Sequence, residues 1–215
     1  MGRDPTQLDA VQIARACVES LAENTSDAVV APLLWGAAAG IPGLLGYRAV
    51  NTLDAMVGHR SPRYLRFGWA AARLDDGANW LPARLAGVLT ALAAPLVGGS
   101  PGRARDTVRS DAGRHPSPNA GVVEAAFAGA LDVRLGGVNV YAGEVEDRGT
   151  LGRGRTVVPA DIARAARLAR LVSAASALLA VVARLAVTRL AVPPAGRGQA
   201  GQGQAGQGQA GRGRR

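Results

Sequence analysis

Four short clusters place acids, amides and one histidine at spacings that could do chemistry. In the first, Glu19-x-x-x-Glu23-Asn24-x-x-Asp27, one helical turn separates the glutamates, so their carboxylates are neighbours. Such a pair can hold Mg2+, a hard cation that takes oxygen ligands. The plainer arrangement is a solvated face with Arg15 paired to Glu19, and spacing alone favours it. In the second, Asn51-Thr52-Leu53-Asp54 follows an uncharged run and Arg48. An amide and an acid at an apolar boundary are costly unless used; capping a helix is the ordinary use. The third runs from Arg73 to Arg84 as RLDDGANWLPAR. As a helix it puts Asp75 and Asn79 on one face with Asp76 adjacent, and arginines at both ends could pair with phosphate oxygens bridged by a metal. The fourth is His115-Pro116-Ser117-Pro118-Asn119-Ala120-Gly121, with Glu124 just beyond. Two prolines stiffen the loop, and polar groups entering a helix suit ligand or anion binding. A loop histidine is more often structural than catalytic, and no GxSxG elbow supports a Ser–His dyad.

Composition removes other chemistry. All 25 basic residues are arginine, so there is no Walker A lysine and no Schiff-base lysine. One cysteine (Cys17) and two histidines (His59, His115) exclude a disulfide framework and the usual Cys/His zinc clusters. The net charge is +9, but four arginines fall in the repetitive tail and leave the rest at +5. That balance does not argue for nucleic acid. Arg60, Arg63 and Arg66, interleaved with Tyr64, Phe67 and Trp69, could grip phosphate or nucleic acid. They equally fit a cytoplasmic loop beside a membrane.

The elements that must position these clusters are largely apolar. Residues 6–24 read as an amphipathic helix with Thr6 and Asp9 in a capping box and Val11, Ala14, Val18, Leu21 and Ala22 on one face. Residues 28–47 carry no charge and are long enough to span a bilayer as one helix. A polar, aromatic-containing stretch (48–84) leads to a second uncharged run, 85–102. Residues 100–121 read as loop, 122–131 as a short helix and the Gly-rich 136–154 as irregular. Pro159 and Asp161 open a long helix that begins basic and becomes apolar, reaching 192. The GQGQA repeats of 193–215 have nothing to bury and should be disordered. The N-terminus lacks a signal-peptide pattern. Composition alone leaves a membrane bundle and a soluble Ala-rich bundle both open.

In this order the clusters resemble one family. ENTSDAVVAPLLW (23–35), YRAVNTLDAMVGHRSPRYLRFGWAAARLDDGANWLPARL (47–85) and HPSPNAGVVEAAFAGALDVRLGG (115–137) are similar to the cobalamin-biosynthesis protein CobD/CbiB, adenosylcobinamide-phosphate synthase. LGRG (151–154) and PADIARAARL (159–168) fit its closing segment. The likeness covers roughly residues 1–190. Relative to the family, the chain lacks an N-terminal portion, carries Val122-Val123 after HPSPNAG where an aromatic and a proline are usual, and has a tail the family does not show.

The resemblance implies an all-α, multi-pass integral protein of the cell membrane, with polar loops, a membrane domain over 1–192 and a tail over 193–215. It implies conversion of adenosylcobyric acid to adenosylcobinamide or its phosphate, by amide ligation of aminopropanol or its phosphate to the ring-D propionate. ATP and Mg2+ are the expected cofactors, and partners are the corrinoid, the amine, membrane lipid and other cobalamin-pathway enzymes. On this reading Asp75, Asp76, His115 and Glu23 are candidate catalytic groups. Asn24, Asn51, Asp54, Arg73, Asn79, Arg84, Ser117, Asn119 and Glu124 are candidates for substrate binding. Glu19, Glu23, Asp27, Asp75 and Asp76 are candidate Mg2+ ligands. Two alternatives stay distinct: a shortened, inactive relative that only binds corrinoid or partner enzymes, and a soluble arginine-rich helical protein that binds nucleic acid. Membrane fractionation separates the second from the family reading.

Overall fold

Helices need capped ends, and the first one finds its cap later than Thr6. The computed structural model describes residues 8–58, 64, 66–141 and 144–191; Thr6, His59, Arg60, Arg63 and the 193–215 tail lie outside them. Helix α1 is Ala10–Asn24. Asp9 Oδ1 accepts from Gln12 N at 2.7 Å while Gln12 Oε1 accepts from Asp9 N at 3.0 Å, a reciprocal capping box. Ala14, Val18 and Ala22, four residues apart, form its fully buried stripe, whereas Val11 is exposed.

The uncharged run 28–47 is not one straight helix. A π-helical turn, Thr25–Val30, leads into α2, Ala31–Leu53, which breaks at Gly40 (φ 67, ψ −151), a backbone conformation essentially confined to glycine. Residues eight apart in a continuous helix are about 12 Å apart. Here a Cβ placed on Gly43 would come within 2.4 Å of the Trp35 carbonyl oxygen, and one on Gly36 within 3.7 Å of Leu44 Cβ. Tyr47 Oη then reaches back to the Asp27 carbonyl at 2.9 Å. The run is therefore a helical hairpin with its apex at Gly40–Ile41–Pro42. Length and lack of charge had pointed to a single span; a glycine followed by proline turned the chain back instead. A second π-helical turn, Asp54–Gly58, closes the returning arm.

Helix α3 is Trp69–Ala93, so most of the stretch read as polar connection is helical. A 3₁₀ turn, Ala94–Val97, and a left-handed Gly98 (φ 75) end it, and α4, Pro101–Asp111, starts with proline in its first turn. The second uncharged run, 85–102, is thus split between two helices, and the expected loop after residue 100 is mostly helix. Helix α5, Ala120–Leu131, is buried on nearly every side and forms the centre of the fold, as an all-apolar helix must. Gly129 lets α4 lie directly on it: a Cβ there would sit 2.6 Å from the Arg103 carbonyl oxygen.

The stretch expected to be irregular is a small sheet, which also corrects the all-α expectation. Strands β1 (Val133–Tyr141) and β2 (Glu144–Leu151) pair antiparallel with Leu135 opposite Leu151 and a bulge between Gly136 and Val138; β3 (Arg155–Thr156) pairs parallel with β1. Val133 and Leu135 are buried on either side of exposed Arg134, a period-two pattern too short to stand out among four positive-φ glycines, Gly136, Gly137, Gly149 and Gly152.

Helix α6, Ala160–Ala191, buries Ala165, Leu168 and Val172 near its start, while Leu178, Val181, Val182 and Leu185 are exposed further on. Its beginning is anchored at Asp161, which accepts two hydrogen bonds from Arg155 at 2.7 Å each and one from Arg164 at 3.0 Å. Three helical stretches, Ala10–Gly58, Trp69–Val97 and Ala160–Arg189, are long and apolar enough to cross a membrane; the first contains the hairpin.

Candidate functional site

The carboxylates gather where the hairpin returns against α3. Tyr47 Oη, buried, lies 2.9 Å from the Asp27 carbonyl and 2.9 Å from Asn79 Oδ1, so its single proton serves both. The other face of that amide is fixed, since Asn79 Nδ2 donates to Asp75 Oδ2 at 3.0 Å. Asn51 Nδ2 donates to Asp75 Oδ1 at 3.2 Å, and Arg48 reaches Asn51 Oδ1 at 3.4 Å. Asp75 is held from both α2 and α3, with each oxygen accepting from an amide. The carboxylates of Asp75, Glu23 and Asp54 all repel that of Asp27. Asp27 and Asp54 each stand in a π-helical turn, a local widening often found at functional positions. An anionic concentration of this kind costs free energy unless a cation or a hydrogen-bonding ligand offsets it, and its all-oxygen donor set suits Mg2+.

Glu23 joins this cluster to a second one, walled by α1, α5 and β2. Glu23, His115 and Glu124 bring one ligand atom each to within 4.8 Å of one another. His115 Nε2 lies 3.5 Å from Glu124 Oε1, and Arg148 reaches Glu23 Oε1 at 3.4 Å. Glu124 is 0% exposed. Burial, with the carboxylates of Glu23 and Glu19 nearby, pushes its carboxyl well above the usual range, against the pull of Arg148.

The proline-stiffened loop forms a third wall. Ser117 Oγ accepts from Asn119 N at 3.3 Å and Ala120 N at 3.2 Å, satisfying donors at the start of α5. Ser117 N donates to His115 Nδ1 at 3.0 Å. Asn119, buried, donates to the Asp76 carbonyl at 2.9 Å and accepts from Arg84 at 2.7 Å. Arg84 lies over the Trp80 ring, 4.7 Å from its centre.

Three expected site residues are placed otherwise. Glu19 accepts from Gly136 N at 2.8 Å and pairs with Arg15 at 3.8 Å, which ties α1 to β1. Asn24 is exposed and folds back onto Ser20, donating to its carbonyl at 2.8 Å. Arg73 is 64% exposed and meets the Asp76 carboxylate at 3.6 Å, on the outer side of α3. Asp54, Asn51, Asn79 and Asp75 converge, as do Glu23, His115 and Glu124. Tyr47 and Arg148 belong to the site without having been singled out. Tyr47 ends an uncharged run and reads as an interface aromatic, while Arg148 lies in a glycine-rich stretch whose pairing only the folded sheet reveals. A cavity of about 350 Å³ opens elsewhere, between the first turns of α1 and strand β1, and no residue of these clusters lines it.

The sequence matches the CobD/CbiB protein family over residues 1–169. It is 63% identical over 180 residues to the cobalamin biosynthesis protein CobD of Mycobacterium tuberculosis, covering 84% of this chain and 58% of that one. It is 54% identical over 171 residues to the CobD of Rhodobacter capsulatus, covering 79% of this chain and 53% of the relative. With the CobD of Geobacter metallireducens the identity is 48% over 188 residues, 87% of this chain and 58% of the relative. The chain thus spans somewhat over half the length of the curated relatives it matches. No solved structure matches it.

Proposed function

Because the chain belongs to the CobD/CbiB family, we propose that it acts in cobalamin biosynthesis, in the amide-forming step that converts adenosylcobyric acid to adenosylcobinamide or its phosphate. The amine is aminopropanol or its phosphate, and the acid is the ring-D propionate. The observation that carries this reading is the convergence of carboxylates and amides from four separate segments onto Asp75 and Asp27.

A carboxylate resists attack by an amine, so it must first be activated. ATP with Mg2+ supplies that activation when bound, turning the propionate into an acyl phosphate and releasing ADP. The donor set supports this: Asp27, Asp54 and Asp75 offer oxygen ligands, and Arg84, on the same helix as Asp75, is a candidate for phosphate contacts. Asn51 and Asn79 hold the Asp75 carboxylate still, which fixes where a metal-bound phosphate would lie. The amine arrives as an ammonium. The anionic interior from Glu23 to Asp27 attracts it, and a carboxylate there takes the proton it loses before attack. The amine nitrogen then displaces phosphate from the acyl carbon. His115 and Asn119, set by the stiff loop, are the candidates for positioning the propionate. Three helical stretches of membrane-crossing length and composition support placement in the cell membrane, in contact with lipid.

Membranes or detergent extracts containing the chain, given adenosylcobyric acid, aminopropanol or its phosphate, ATP and Mg2+, should yield the amide product by mass spectrometry. Asp75→Asn should abolish it. Product formed at an undiminished rate by both Asp75→Asn and Asp27→Asn would remove the cluster from the reaction. Corrinoid binding without turnover would leave the chain a binding relative.

A further inference from the structure

We propose that Glu23, His115 and Glu124 form a site for one divalent transition-metal ion, separate from the oxygen-only cluster around Asp27 and Asp75. The three residues come from α1, the proline loop and α5, and their ligand atoms already lie within 4.8 Å of one another. The closest pair, His115 Nε2 and Glu124 Oε1, is 3.5 Å apart, near the spacing of two ligands on a tetrahedral ion at about 2.0–2.2 Å. A side-chain rotation of Glu23, the most exposed of the three, brings in the third.

The independent observation is Glu124. Its side chain is 0% exposed, and neither carboxylate oxygen has a hydrogen-bond partner. A buried carboxylate left in that condition is among the most costly arrangements a fold can hold. The local charges do not balance either. Glu19 is paired with Arg15 and Glu23 with Arg148, while Glu124 faces the imidazole and the carboxylates of Glu23 and Glu19, with Arg148 the nearby guanidinium. Three carboxyl groups meet here around one nearby guanidinium, and a bound cation would offset their mutual repulsion and give the buried Glu124 oxygens a partner.

The donor set selects the ion. One imidazole and two carboxylates suit Mn2+, Fe2+, Co2+ or Zn2+; Mg2+ prefers oxygen and retains its waters. The histidine must offer Nε2 unprotonated. Nδ1 stands 3.0 Å from Ser117 N and 3.2 Å from the Ser117 carbonyl, so it can accept from the first or donate to the second. With metal bound it donates to the carbonyl, the usual outer support of a ligating histidine. Arg148 limits Glu23 to its free oxygen and disfavours bidentate ligation there.

The test needs no turnover. The full chain is purified, stripped with a chelator, and titrated with Co2+ and Mn2+. One ion per chain should bind with micromolar or tighter affinity, Co2+ should give visible d–d absorption, and Mn2+ should show nitrogen modulation from one histidine in pulsed EPR. His115→Gln should abolish the nitrogen modulation, and Glu124→Gln should weaken binding at least tenfold. Asp75→Asn, in the other cluster, should leave the Co2+ spectrum unchanged. If Glu124→Gln does not fold, the nitrogen signal and its loss in His115→Gln carry the result. Binding no tighter than millimolar by the folded wild type, absence of nitrogen modulation, or an unchanged signal in His115→Gln overturns the proposal.

Discussion

The indole Nε1 of Trp35 donates to the carbonyl oxygen of Ala78 at 3.0 Å, and Ala78 is the residue whose helical donor is lost four positions on, at Pro82. Proline has no N–H, so the carbonyl four residues before it needs a partner from elsewhere. The hairpin supplies one. The same bond that repairs α3 fixes the outgoing arm of the hairpin beside Asp75 and Asn79.

Trp35→Phe should therefore destabilise the fold by about 1 kcal/mol, the net value of one such bond. Pro82→Ala restores a helical donor to Ala78 and should make the Trp35→Phe change less costly. Denaturant titration of both single variants and the double variant measures that coupling; strictly additive effects would show that the two residues do not share the carbonyl.

Tyr47→Phe removes the proton shared by Asp27 and Asn79. It should cost about 0.5–1.5 kcal/mol of stability and lower product formation more than it lowers substrate binding, because Asp27 loses its tether to the returning arm. Asn79→Leu should be worse on both counts, since it also strips Asp75 of one of its two amide donors. Comparing kcat with KM for the two variants separates loss of positioning from loss of binding.

Asp161 is 0% exposed and is the acceptor for Arg155, Arg164 and Val158 N. Asp161→Ala leaves Arg164, which also reaches the carbonyls of Leu131 and Val97, without its counter-charge. A loss of about 3 kcal/mol or more is expected for breaking such a buried pair, visible as a lower midpoint of thermal unfolding. Arg155→Ala should cost less, because that side chain is half exposed.

Gly40→Val should disfavour the reversal, since a β-branched residue is strained at φ 67, ψ −151 by about 1–3 kcal/mol. Spin labels at Ala28 and Thr52, both exposed, should lie close together in the wild type. In the variant their distance distribution should broaden towards the roughly 36 Å expected of twenty-four residues in a straight helix. A long distance in the wild type would refute the hairpin.

The polar residues of the site were legible because acids, amides and a histidine interrupt apolar sequence, and burying them without use is expensive. Their partition into two clusters was not legible. Glu19 and Glu23 are equivalent by helical spacing, yet the first bonds Gly136 and the second faces His115, a difference set by a strand more than a hundred residues away. Asn24, next to Glu23 in sequence, points outward. The first helix was legible from periodicity, the last from Pro159 and Asp161 opening a basic and then apolar run, and α5 as a short apolar segment. Helix α4 was hidden because its charges, with Pro101 before and Pro116 and Pro118 after them, resemble loop composition; Pro101 turned out to open a helix rather than interrupt one. The sheet was hidden for the opposite reason, its alternation being diluted by glycines that the bulge and turns require. The break at Gly40 was visible as a residue, but not as a reversal, because hydropathy has no sense of direction.

That reversal changes how the chain is counted through a lipid layer. Asp27 and Asp54 lie at the two feet of the hairpin, where Tyr47 Oη on the returning arm meets the Asp27 carbonyl at 2.9 Å, so the segment between them leaves and returns to one level. Were that segment to enter a lipid layer, its twenty uncharged residues would add nothing to the parity of the topology. A tally of apolar runs would then count one traverse too many and invert which flanking arginines should be compared across the bilayer.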